Sequence, residues 1–257
     1  MLPRQTLLTE ADPPPFRVLD GGARSPYLII CDHAGCRLPS VLGSLGLAKP
    51  ELTRHIAWDI GVAALAERLG RELGAWVILQ EYSRLVIDCN RPLESPESIV
   101  QQSEQTVIPG NLAISAEQAQ VRAHCIFEPY HARIRRELNE RSARGEATIL
   151  VFLHSFTPEL HGVKRPWHAG VLYHRDTRIA APLLRALRGE PELAVGDNEP
   201  YAASEATDYG LIEHGERRGL PHVELEVRQD LLADADGQQA WAARLARLLR
   251  AIPIGSN

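Results

Sequence analysis

Four short stretches of the sequence set residues fit for metal and acid–base chemistry against apolar runs. Asp32-His33 follows Leu28-Ile29-Ile30-Cys31, and Asp88-Cys89-Asn90-Arg91 follows Leu85-Val86-Ile87. His154-Ser155 follows Leu150-Val151-Phe152-Leu153, and Glu224 and Glu226 alternate with Val223, Leu225 and Val227. Histidines and carboxylates are the usual donors of a catalytic zinc site, which takes three protein ligands and leaves a position for water. A further carboxylate can act as base, and the planar fork of an arginine suits an anionic substrate. Each residue also has a plainer reading. A single histidine at a strand end is commonly a hydrogen-bonded structural group, Asp88 and Asn90 suit a turn, and Arg91 beside Pro92 suits a surface. Glu224 and Glu226 fit the plain reading least, because charged residues on a buried strand need a partner or a metal. Asp59 lies four residues after His55 in a stretch of helical periodicity, so the two share one helix face, either as ligands or as a solvated pair.

The elements that must hold these residues are also signalled. Residues 1–24, rich in Pro, Gly and Thr, read as an irregular arm. Continuous apolar runs at 26–31, 76–79, 85–89 and 148–153 predict strands covered on both faces, and 169–173 and 222–227 predict two more. Leu52, Ile56, Ile60, Ala63, Ala64 and Leu69 recur at helical spacing and predict a helix over 51–73. Ser115 with Gln118 resembles a capping box for a helix over 116–143, with Gly145 after its end. Further helices are expected near 177–188, 207–218 and 237–251. Segments 90–114 and 155–168, punctuated by proline and glycine, are expected to be long loops of functional use. No repeat or linker divides the chain, so 1–257 is expected to be a single α/β domain. Strands alternating with helices argue for a mostly parallel sheet with helices on both faces. In such sheets ligands sit beyond the carboxyl ends of the strands, where the chemistry-bearing residues fall.

Composition bounds the class. A chain of 257 residues, 44% hydrophobic and 24% charged, can bury a sizeable core and is neither disordered nor a disulfide scaffold. Its 28 Lys and Arg against 33 Asp and Glu give a net charge of −5, which supplies no overall cationic field for nucleic acid or an anionic membrane. No apolar run approaches the ~20 residues of a bilayer span, and neither GxGxxG nor GxxxxGK[ST] occurs. The opening Met1-Leu2-Pro3-Arg4-Gln5 lacks the apolar core of a signal peptide. The four cysteines, Cys31, Cys36, Cys89 and Cys125, form no CxxC pair, so a reduced, cytoplasmic protein is expected. Oligomeric state has no signature in the sequence. Of the ten histidines, His161, His168 and His174 are candidates to line a pocket and His214 to approach it. His124, His131 and His222 are expected to be structural or solvated.

Four segments in order resemble the N-formylglutamate amidohydrolase (deformylase) family over residues 25–233. They are Cys31-Asp32-His33-Ala34-Gly35, Ser83-Arg84-Leu85-Val86-Ile87-Asp88-Cys89-Asn90-Arg91-Pro92, Leu153-His154-Ser155-Phe156-Thr157-Pro158 and Val223-Glu224-Leu225-Glu226-Val227-Arg228. They are similar, more distantly, to zinc metallocarboxypeptidases, whose His-Ser-Tyr, Asp-x-Asn-Arg and Glu-Leu-Arg segments match His154-Ser155-Phe156, Asp88-Cys89-Asn90-Arg91 and Glu226-Val227-Arg228. The resemblance implies a phosphorylase/hydrolase-like three-layer α/β/α fold with a mixed, mostly parallel sheet. It implies zinc held by His33 and His154, with Asp59 as third ligand and Cys36 or His55 as alternatives. Carboxypeptidases place a glutamate three positions after the first histidine, where this chain has Cys36.

The same resemblance makes Glu226 the general base and gives the substrate's α-carboxylate to Asn90 and Arg91. Arg84 either polarises the scissile carbonyl or takes a second carboxylate. The implied reaction is zinc-dependent hydrolysis of an N-formyl or N-acyl amino acid such as N-formyl-L-glutamate. Better-known members carry Ser-Pro where this chain has Cys31-Asp32, which leaves another N-acyl amino acid or small amide open as substrate. Two rivals stand beside this reading: a cysteine hydrolase built on Cys31, Cys36 or Cys89, and a non-catalytic small-molecule-binding protein on the same scaffold.

Overall fold

The buried apolar runs form the centre of a seven-stranded sheet. In the computed structural model, which describes residues 7–22 and 25–253, the strands are β1 (Phe16–Leu19), β2 (Tyr27–Cys31), β3 (Trp76–Gln80), β4 (Ile149–Phe156), β5 (Ala169–Leu172), β6 (Val195–Asp197) and β7 (His222–Arg228). Their order is β1-β3-β2-β4-β7-β5-β6. The central four, β3, β2, β4 and β7, run parallel, so their carboxyl ends share one edge. At the flanks β1 is antiparallel to β3, β5 is antiparallel to β7, and β6 runs parallel to β5. The sheet is therefore mixed, with a parallel centre.

The helices are α1 (Val62–Leu73), α2 (Ala116–Arg122), α3 (Glu128–Ala143), α4 (Ala180–Arg188) and α5 (Ala235–Arg250). Successive strand residues point to opposite faces. Odd-numbered residues such as Ile29, Val151 and Leu225 therefore pack in one cluster with α1, α4 and α5. Even-numbered residues such as Ile30, Leu150 and Phe152 pack in another with α3 and the turn before it. Two apolar faces covered by helices make the three-layer arrangement. The same parity sets His154, Glu224 and Glu226 on the α3 face, and the register pairs Glu226 directly with His154.

Three expectations change where side chains, not periodicity, decide the backbone. The run 85–89 is as buried as a strand, with Leu85, Val86, Ile87 and Cys89 at most 1% exposed, yet it forms no ladder. Asn111 donates to the Leu85 carbonyl at 2.9 Å, Arg122 to Val86 at 2.8 Å, and His131 Nε2 lies 2.9 Å from the Cys89 carbonyl. Buried carbonyls need partners, and here side chains supply them in place of a neighbouring strand. The helix expected over 51–73 splits into a turn at Glu51–Thr53 and α1. Gly61 adopts φ 82° before α1, and a Cβ there would meet Leu232, so the chain bends at a point only glycine allows. Asp59 therefore sits on the loop entering α1 and does not share a helix face with His55. Part of the expected irregular arm forms β1, a four-residue edge strand that is only partly buried. Residues 1–6 and 23–24 of that arm lie outside the described residues.

Smaller differences follow the same logic. The expected helix over 116–143 is continuous but widens into a π turn at Ala123–Phe127, just before Pro129, whose missing N–H cannot close an ordinary turn. Its capping box is present, with Ser115 and Gln118 bonded reciprocally. Near 207–218 the chain forms a π turn at Leu211–Gly215 and a 3₁₀ turn at Glu216–Arg218. Among the described residues no helix is long and apolar enough to cross a membrane.

Candidate active site

His33 leaves the end of β2, Asp59 comes from the loop before α1, and His154 projects from β4. The Asp59 N–H donates to the His33 carbonyl at 3.0 Å, which ties the two loops together. One donor atom from each of the three side chains lies within 4.8 Å of the others, and all three residues are buried. Asp59 Oδ2 is 3.0 Å from His154 Nδ1 and 3.6 Å from His33 Nδ1. It also accepts from the Ser155 N–H at 3.2 Å. On its far side, His33 Nε2 lies 2.7 Å from Asp88 Oδ1. A carboxylate there fixes the proton on Nε2 and turns the Nδ1 lone pair toward Asp59. That Nδ1 is buried without a hydrogen-bond partner, as is His154 Nε2, which lies 3.8 Å from Asp32 Oδ2. Two imidazole nitrogens and one carboxylate oxygen, converging with a lone pair left unused, fit a divalent metal of the zinc type.

The charge balance fits as well. Asp32, Asp59, Asp88, Glu224 and Glu226 are all at most 6% exposed. Burial alone raises a carboxyl pKa, but His33 and His154 bring Asp59 below the usual range, and Arg84 and His33 do the same for Asp88. Burial raises Asp32 and Glu224, and it pushes Glu226 up to about 8, with the Asp59 charge adding to the rise. Burial disfavours the charge on His154, yet Asp59, Glu224 and Glu226 hold it well above an ordinary histidine. Carboxylates gathered in excess of cations in a dry site are what a dication compensates.

Around this cluster a cavity of about 480 Å³ is lined by His33, Asp59, His154, Glu226, Arg84, Asn90 and Arg91, among others. All seven residues singled out in the sequence thus face one space. Arg84 donates to Asp88 Oδ2 through Nε at 3.0 Å and Nη2 at 2.6 Å, and its Nη1 is 3.8 Å from Asp59 Oδ1. Asn90 Oδ1 accepts from the Gly210 N–H at 3.1 Å. Arg91 pairs with Glu97 through Nε at 3.1 Å and donates through Nη1 to the Thr207 and Asn90 carbonyls. His55 lines the cavity but lies outside the three-donor cluster, with its Nε2 3.3 Å from Glu104 Oε1.

The cysteines are poorly placed for nucleophilic work. Cys31 donates to the Leu153 carbonyl at 3.0 Å, and burial holds the Cys31 and Cys89 thiols well above their usual range, so neither becomes a thiolate. Cys36 is exposed and does not line the cavity.

The remaining histidines separate from the site. His161 lines only a smaller neighbouring cavity, and His168 accepts from the Ala194 N–H at 2.9 Å. His174 and His222 lie 3.9 and 3.5 Å from Glu216, and exposed His124 pairs with Glu128. His214, expected near the site, is instead buried against His131 at 3.0 Å. Sequence reasoning did not single out Tyr201 or Asp208, which also line the cavity, or Arg165, which holds the Tyr201 hydroxyl at 2.8 Å. The only signal for Arg165 is its place in the proline-punctuated loop 155–168.

Comparison with known proteins identifies the fold and the family. A gene product of Agrobacterium tumefaciens, known from its crystal structure, is 36% identical, with a TM-score of 0.92 over 95% of this chain and 96% of that one. The N-formylglutamate amidohydrolase of Ralstonia eutropha JMP134 shares the fold at 20% identity, with a TM-score of 0.62 over 92% of this chain and 98% of that one. A Pseudomonas putida N-formylglutamate deformylase is 31% identical over 163 residues, 56% of this chain, and the match spans 57% of that relative's length. Residues 25–233 match the family described as N-formylglutamate amidohydrolase, a stretch that holds every residue of the cluster and its cavity named above. On that match the chain belongs to the N-formylglutamate amidohydrolase family.

Proposed function

We propose that the chain is a zinc-dependent amidohydrolase that splits an N-formyl or N-acyl amino acid, such as N-formyl-L-glutamate, into the carboxylic acid and the free amino acid. The observation that carries this reading is the convergence of one donor atom each from His33, Asp59 and His154, beside Glu226 in one cavity. Zinc bound by His33, Asp59 and His154 would polarise the amide carbonyl and acidify a water. Glu226, one strand over from His154, takes the proton of that water and delivers it to the leaving amine. Its unpartnered Oε2 and its burial suit a group that must carry a proton between two steps. Arg84, fixed by Asp88, adds positive charge where the carbonyl oxygen becomes an oxyanion. Arg91, braced by the Thr207 carbonyl and Glu97, holds the α-carboxylate together with Asn90. The four free cysteines suit a reducing, cytoplasmic setting. The experiment is a screen of the zinc-loaded protein over N-formyl and N-acetyl amino acids, scoring released amine. Turnover of N-formyl substrates that stops on chelation and survives thiol alkylation is expected. No turnover of any member of the panel by fully loaded protein overturns the reading.

A further inference from the structure

Arg165 sits against Phe156 and Tyr201, two residues of the cavity wall, without a negative partner among the described residues. It is 9% exposed, its guanidinium lies 5.9 Å from the Phe156 ring and 4.7 Å from the Tyr201 ring, and its Nη1 donates to the Tyr201 hydroxyl at 2.8 Å. Phe156 and Tyr201 both line the cavity. Among the described residues no carboxylate pairs with Arg165, and its Nε and Nη2 meet no protein acceptor. The two arginines that line the cavity are differently placed, because Arg84 is committed to Asp88 and Arg91 to Glu97. A guanidinium taken largely out of water keeps its charge, so it favours an anion that can reach it.

The surroundings hold Arg165 in place. Its N–H donates to the Pro158 carbonyl at 2.8 Å, and its own carbonyl accepts from Arg228 Nη1 at 3.3 Å. The backbone is therefore clamped on both sides, while Phe156 and Tyr201 flank the head. Its charge is felt at Glu226 and at His55, two further residues of the cavity. The rest of the lining is rich in carboxylates, with Glu97, Glu104 and Asp208 beside the acids of the metal cluster. A substrate with two carboxylates needs a cation at each end to enter such a space. Arg91 meets one end, and Arg165 is the unpaired cation available for the other.

We propose that Arg165, with the Tyr201 hydroxyl it holds, receives a second carboxylate, that of an acidic substrate side chain, and so selects N-acyl dicarboxylic amino acids over neutral ones. This rests on the amidohydrolase reading of the same cavity. The test compares kcat/KM for N-formyl-L-glutamate and N-formyl-L-glutamine, which differ only in that side-chain group, in the zinc-loaded protein and in Arg165→Gln. The unmodified protein should prefer the glutamate compound by about 10- to 100-fold, the range of a charge-assisted contact. Arg165→Gln should erase that preference through KM while leaving turnover of the glutamine compound unchanged.

An unmodified protein without preference overturns the proposal, as does a variant that loses both activities equally and keeps the ratio. If Arg165→Gln does not fold, Tyr201→Phe decides: a narrowed preference supports the subsite and an unchanged one overturns it. If the loaded protein turns over neither compound, calorimetric binding of the same two compounds tests the subsite alone, while the wider panel decides the amidohydrolase reading. Tighter binding of the glutamate compound, lost in the variant, supports the subsite, and equal binding overturns it.

Discussion

The two nitrogens of His33 have separate partners, Asp88 on Nε2 and the space beside Asp59 on Nδ1, and that division makes the ligand set testable residue by residue. Truncating His154 leaves only His33 and Asp59 as donors, too few for a stable site. We expect His154→Ala to fall from about one zinc per chain to a small fraction after dialysis, read by elemental analysis. Full retention in that variant would remove His154 from the ligand set. Glu226 touches the reaction through its carboxyl group and not through the cluster, so Glu226→Gln keeps the shape and the metal. Its kcat should drop by about 10²- to 10⁴-fold with the zinc content unchanged; a variant that keeps its turnover is incompatible with Glu226 as base. His33, His154 and Glu226 were legible in the sequence because each sits in a motif beside an apolar run. Arg165 was not, because what marks it is the lack of a partner, a property that exists only once the chain has folded.

At the scale of elements, the segment 85–89 shows how a buried run is held without a ladder, and it carries Asp88, Asn90 and Arg91 into the cavity. Asn111 is its main brace: it donates to Leu85 at 2.9 Å and to Val100 at 2.7 Å, and it accepts from Arg122 at 2.7 Å. Asn111→Ala strands two carbonyls and part of a guanidinium in a buried site, where each unsatisfied group costs about 1–3 kcal/mol. A loss of about 2–4 kcal/mol in urea unfolding is expected, with KM rising because the loop that presents Arg91 loosens. A change under 0.5 kcal/mol would mean that the loop is held by packing alone. The same segment marks the limit of periodicity. Residues 26–31, 76–79, 148–153 and 222–227 were legible as strands because their neighbours are strands as well. Residues 85–89 have the same composition, but Asn111, Arg122 and His131 lie 15 or more residues further along the chain, and no local pattern reports them. Asp59 moved off its expected helix for a comparable reason, since the bend at Gly61 answers to Leu232 on a remote turn.

At the scale of the whole molecule, the histidines outside the cluster tie stability to pH. His131 and His214 are fully buried in the layer between the sheet and α3, with ring centroids 5.2 Å apart. His131 Nε2 meets the Cys89 carbonyl and so carries a proton, which leaves Nδ1 to accept from His214 Nε2. The bond between the rings therefore needs a neutral His131, and a proton on His214 Nδ1 would find no acceptor where it is buried. Burial pushes His131 down to about 3, against a weaker opposing pull from the Cys89 carbonyl. Burial, the neighbouring His131 and Arg135 hold His214 well below an ordinary histidine. With folded values below the unfolded value of about 6.5, the unfolded chain binds more protons as pH falls, and stability drops in that direction. The stabilisation is fully present above about 6.5 and is lost progressively toward the folded values, at up to about 1.4 kcal/mol per pH unit for each histidine. Urea unfolding of metal-free protein at pH 7.5, 6 and 5 should show this slope. His214→Gln should start lower at pH 7.5 and decline less steeply, because one of the two titrating rings is gone. Parallel slopes for the two proteins would place the acid sensitivity in the carboxylates of the cavity instead.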